Sequence, residues 1–122
     1  MKKTNIILTA TIAAATALTA FSAEEPKNGG ETMKISGEVV DMACYVDHGA
    51  AGDKHADCAK KCITNGLPVG LKADDGKTYL LIGEHKPINA DLAQYAAKTI
   101  TVKGKVASRD GINMIENAEI QK

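Results

Sequence analysis

The chain has 122 residues, with 15 Lys and Arg against 15 Asp and Glu, which fits one ordinary domain. That balance excludes a nucleic-acid or anionic-membrane partner held by bulk positive charge. With no Trp, Phe21 as the one Phe, and Tyr45, Tyr79 and Tyr95 as the tyrosines, a broad aromatic stacking surface is excluded too.

The first 23 residues read as an export signal. Lys2 and Lys3 supply a charged start, Ile6 to Ala20 a short apolar stretch diluted by threonines, and Ala20-Phe21-Ser22-Ala23 the small residues of a cleavage site. Cleavage after Ala20, Ser22 or Ala23 suits this pattern equally. The apolar run is shorter than the roughly 20 residues that span a bilayer, and none follows it, so no stable membrane insertion of the mature chain is expected. No Cys lies near the cut to carry a lipid. The expected location is the periplasm, or the exterior where a cell has no outer membrane. Cleavage leaves a slightly acidic chain of about 100 residues, a size that buries only roughly 60 to 70% of its unfolded surface, so any added staple matters.

Residues 24–32 (EEPKNGGET) are charged, contain Pro26 and two glycines, and read as a flexible leader; residues 33–122 form the domain. From Met33, apolar and polar residues alternate as in a half-buried strand. The alternation changes parity at Val39-Val40, which suggests a bulge that puts Met42 and Cys44 on one face at the strand's end. Val46 to Gly52 reads as a loop. Asp53 then suits a cap for a helix over Lys54 to Thr64, stopped by Asn65-Gly66. Leu67 to Lys72 and Lys77 to Ile82 are strands joined by a turn containing Asp75-Gly76. Asn89 suits the cap of a second helix to Ala97, with Leu92, Tyr95 and Ala96 inward. Thr99 to Ser108 and Ile112 to Ile120 are the last two strands.

The expected fold is therefore mostly β with two short helices: five short antiparallel strands, a helix between the third and fourth, and a helical insert between the first and second. That is the order of an OB-like five-stranded Greek-key barrel. The segments Ile35 to Val40, Asp75 to Leu81 and Thr101 to Val106 resemble small exported bacterial OB-fold proteins. The resemblance covers most of Met33 to Gln121 and implies the fold alone, since that group has no settled activity to carry over. The helix with His55, Cys58 and Cys62 departs from its plain pattern.

The chemistry concentrates around the insert. Cys58 and Cys62 lie on its helix and Cys44 at the end of the preceding strand, with Met42, His48 and His55 close by in sequence. On a helix, His55, Cys58 and Cys62 form one stripe beside Ala59 and Ile63. A bland reading makes that stripe a buried apolar face, because free Cys is among the most buried residue types. A metal-binding reading makes the three thiolates with His55 a Cys3His zinc set, or a thiolate-rich copper site to which Met42 adds a thioether. In a continuous helix His55 and Cys62 stand about 10.5 Å apart along the axis. Bonds of roughly 2.0 to 2.3 Å strain to join them to one ion. Either the helix starts after His55 or His55 is not a ligand.

A third reading pairs two cysteines as a disulfide and leaves one thiol for redox exchange. That exchange needs an exposed thiol of depressed pKa. Neither C-x-x-C nor a thioredoxin-like order is present, and no nucleophile with a base or phosphate-cradling loop is seen. Tyr45 reads as packing, His48 with Asp47 as a solvated loop pair, His85 as a surface turn, and Asp74 with Asp75 as turn chemistry. The sequence is best read as a non-enzymatic exported protein binding zinc or copper through Cys44, Cys58, Cys62 and His55. Its partners are then the metal ion and, in the adaptor alternative, a small ligand or another exported protein.

Overall fold

In a computed structural model, residues 30–122 are described, so the export signal and residues 24–29 of the leader lie outside the described part. Five strands form a closed barrel: β1 (Thr32–Asp41), β2 (Val69–Ala73), β3 (Thr78–Leu81), β4 (Thr99–Arg109) and β5 (Ile112–Gln121), in the ring order β1-β2-β3-β5-β4. The ladder begins at Thr32, which pairs with Lys105 and so belongs to the barrel rather than to the leader. Three short α-helices accompany it: α1 (Met42–His48) and α2 (Ala56–Thr64) between β1 and β2, and α3 (Asn89–Leu92) between β3 and β4.

Not every neighbouring pair is antiparallel, as the sequence had suggested. β3 and β5 run parallel, with Leu80 opposite Met114. An odd-numbered ring requires this, because alternating directions cannot close on five strands, and here the four remaining contacts are antiparallel. Inward residues at every second position fill the interior. Ile35 and Val39 of β1, Leu71 of β2, Leu81 of β3, Val102 of β4 and Ile115 of β5 are all buried in one cluster. Burial of aliphatic side chains on this scale is the main force holding the barrel. Gly37 lies where β1 runs close against β2, since a Cβ there would meet the backbone of Lys72 and Ala73.

The first strand carries no bulge. β1 pairs in unbroken register from Gly37 opposite Ala73 to Asp41 opposite Val69. The parity change at Val39-Val40 instead marks the end of the strand and the start of α1, so Met42 and Cys44 sit on a helix. Its stop is Gly49, at φ 69°, a left-handed position that Gly adopts without steric cost. The missing signal was a capping Asp followed eight residues later by a Gly.

The other two caps also differ from expectation. Asp53 opens a short 3-10 turn over Asp53–His55, and α2 begins only at Ala56. Asn89 lies inside α3 rather than capping it, and the helix passes into a 3-10 turn at Ala93–Tyr95. Its amide instead donates to the carbonyls of Ile63 at 2.9 Å and Leu67 at 2.7 Å. Carbonyls at the end of a helix lack partners within it, and Asn89 meets that need at the end of α2. Leu92 and Ala96 are buried and Tyr95 is half-buried, as the inward face predicts. Among the described residues no helix is long and apolar enough to cross a membrane.

Candidate metal centre

The insert is fixed to the barrel at several points before any ligand is considered. The N–H of Met42 donates to Pro68 O at 2.9 Å, which joins the start of α1 to the end of the insert. The N–H of Gly52 donates to the Glu38 carboxylate on β1. α2 lies with Ala59 and Ile63 buried against the core, Ile63 completely so. Its last turn is closed by N–H groups of Asn65, Gly66 and Leu67 donating to Lys61, Ile63 and Cys62 carbonyls at 3.0 to 3.1 Å.

This scaffold brings the three cysteines together. Their sulfur atoms all lie within 4.8 Å of one another, one from α1 and two from α2. Cys58 and Cys62 are one helical turn apart and share a face. Cys44 arrives from the other helix, whose position Asp41 sets. The Asp41 carboxylate accepts from the N–H of Cys44 at 3.0 Å and from that of Ala43 at 3.3 Å. Asp41 is also the buried charged residue among those described, at 2% exposure. A carboxylate at a helix N-terminus gains from the unpaired N–H groups and the helix dipole, which offsets the cost of burying it.

All three are free thiols; Cys44 and Cys62 are half-buried and Cys58 is exposed. A hydrogen bond from its thiol to Asp41 is the largest influence on Cys44, followed by burial and the negative charge of Asp41, and together they push its pKa up to about 12. Burial, then the Asp41 charge, pushes Cys62 up as well. Such thiols are poor nucleophiles near neutral pH, opposite to what a redox thiol requires. A bound cation reverses the balance, because a coordinating thiol loses its proton outright.

The remaining sequence candidates stand elsewhere. His55 is exposed at the end of the 3-10 turn and is not one of the three groups gathered at the sulfur cluster. His48 closes α1 with its Nε2 3.1 Å from Asp47 Oδ2, both side chains largely exposed. His85 lies 3.5 Å from Glu116 across the barrel's outer surface. The sulfur of Met42 rests over Gly70 of β2, in the space a side chain at that position would fill. Asp75 accepts from Lys77 N at 2.8 Å and from the Tyr79 hydroxyl at 2.6 Å, so it does turn work. Sequence reasoning missed Asp41 and Glu38 and gave Asn89 the different role of a helix cap; all three position the insert without being donors to an ion.

What the cluster can do follows from its donors. Three sulfurs at this spacing are close enough to bind one metal ion, and thiolate is the ligand that soft and borderline ions prefer. The chain matches no known family model, no curated protein and no solved structure.

Proposed function

We propose that the chain is an exported, non-enzymatic protein that binds one thiophilic metal ion, zinc or copper, through the thiolates of Cys44, Cys58 and Cys62. The observation that carries this reading is the approach of all three sulfurs to within 4.8 Å, from helices anchored independently to the barrel. His55 is not assigned as a ligand. Export is supported by the charged start, the short apolar run and the small residues around Ala23. The periplasm, or the exterior of a cell without an outer membrane, is the proposed location. The ring order and the position of α3 support an OB-like Greek-key reading of the barrel.

A native mass spectrum of the chain, isolated without chelator or reductant, tests the proposal. The expected species is one metal ion heavier than the bare chain, and Cys62→Ser should lose that ion. A metal-free mass short of two hydrogens would refute it and favour a disulfide that staples the insert. One observation favours an adaptor as the second reading. A groove of about 700 Å³ opens beside β3 and β5, lined by apolar side chains including Val69, Leu80, Ile82 and Met114. Open apolar clefts are where small ligands bind.

A further inference from the structure

The cluster has three donors and an uneven exposure, and both properties bear on what happens to a bound ion. A closed structural zinc site uses four protein ligands. Among the described residues no His, Asp or Glu joins the three sulfurs. The buried acidic group beside the centre, Asp41, already accepts two backbone N–H groups and the Cys44 thiol. Glu38 holds Gly52, and Met42 covers Gly70. Soft thiolates select Cu(I), which does not need a fourth ligand to be satisfied.

The two half-buried cysteines also make backbone contacts at the ends of their helices. Cys44 donates its N–H to Asp41, and the carbonyl of Cys62 receives Leu67 N–H at 3.1 Å. Cys58 sits earlier in α2 with its side chain exposed. An ion on this centre is therefore backed by two half-buried sulfurs and is reached from solvent on the Cys58 side. Lys61, exposed and three residues further along the helix, shares that face and supplies a positive charge beside the approach.

Resting on the metal-binding reading, we propose that the centre is a transfer site for Cu(I), which an incoming anionic thiolate of an acceptor takes over on the Cys58 side. The acceptor sulfur, its proton already lost to water, bonds to copper as the thiolate. The bond from copper to Cys58 breaks first, and the Cys58 thiolate regains a proton from water. The ion then leaves the other two sulfurs in the same way. Copper stays Cu(I) throughout, so no electron donor or oxidant is needed.

The test has two stages on the purified, reduced chain under anaerobic conditions. Cu(I) is first titrated in and the stoichiometry read by mass; one ion per chain is expected, and none would overturn the metal-binding reading itself. The loaded chain is then mixed with excess dimercaptosuccinate, an anionic dithiol, and loss of the copper–thiolate ultraviolet absorption is followed. A release rate proportional to acceptor concentration is expected, with several-fold slowing in Lys61→Glu at unchanged stoichiometry. A rate independent of acceptor concentration, or one that Lys61→Glu leaves unchanged, would overturn transfer through this face while leaving metal binding intact. Zinc held against the same acceptor and released by His55→Ala would do so too, by revealing a closed four-ligand site.

Discussion

The Asp41 carboxylate and the backbone N–H of Cys44 meet at 3.0 Å, so the last residue of β1 is also the cap of α1. One side chain thus ends the strand, starts the helix and sets where the first sulfur stands. Asp41→Ala removes the cap and should destabilise the metal-free chain by about 1 to 2 kcal/mol, read by urea unfolding. Asp41→Asn keeps an acceptor for the N–H groups and should lose less. Without the negative charge, its Cys44 thiol should titrate below the wild-type value of about 12. An unchanged titration in Asp41→Asn would break the assignment of that shift to Asp41.

Metal affinity should rise with pH. Cys44 and Cys62 both hold their protons more tightly than an ordinary thiol, so a metal ion must displace protons from them at neutral pH. Competition falls away as pH climbs toward those raised values and grows as pH drops. Binding titrations at pH 6, 7 and 8 should show tightening at each step, with proton release in weakly buffered solution. A flat profile would mean that these thiols are not the ligands.

Ile63 ties the centre to the core. It is fully buried and lies next to Cys62 in α2. Ile63→Ala should cost about 2 to 5 kcal/mol by leaving a cavity, measured by thermal or urea unfolding. Saturating metal should recover part of that loss, because an ion that binds only the folded chain stabilises it by mass action. Absence of any metal-dependent recovery would separate the sulfurs from the fold.

Much of the barrel was legible in the sequence because half-buried strands announce themselves by period-two alternation. All five appear within a few residues of where the alternation from Met33, the runs Leu67 to Lys72 and Lys77 to Ile82, and the stretches Thr99 to Ser108 and Ile112 to Ile120 place them. The parallel β3 and β5 pair was not legible, since closure of the ring is a property of the whole set of strands. The clustering of Cys44, Cys58 and Cys62 was visible as composition, yet their common position depended on α1. That helix was hidden because Val40, Met42 and Cys44 continue the alternation of β1, while a cap and a stop residue argue for a helix. The cross-element bonds of Asn89 and Glu38 join residues 14 or more apart, which local pattern does not reveal.

The Asp75 and Tyr79 pair gives the barrel an acid-sensitive contact outside the centre. The Tyr79 hydroxyl donates to Asp75 at 2.6 Å and, as the largest influence, holds the Asp75 carboxyl below its usual range. A depressed folded-state pKa stabilises above the unfolded carboxylate value, and that contribution is lost as pH falls through the folded one. Tyr79→Phe should therefore cost about 1 kcal/mol at neutral pH. The gap to wild type should narrow below about pH 4, near the ordinary carboxylate value. Urea midpoints at pH 7 and pH 3 measure it, and an equal gap at both would remove Asp75 from the explanation.

Asp41 and Val69 are partners across the β1 and β2 ladder, so the chain leaves the barrel and returns to it at a single rung. Residues 42–68 are in that sense a cassette mounted on one hairpin, with both attachment points fixed by the same pair. Transplanted to another hairpin, the cassette would need a host whose core admits Ile63, because that side chain is buried in the core here as well as being the neighbour of a ligand.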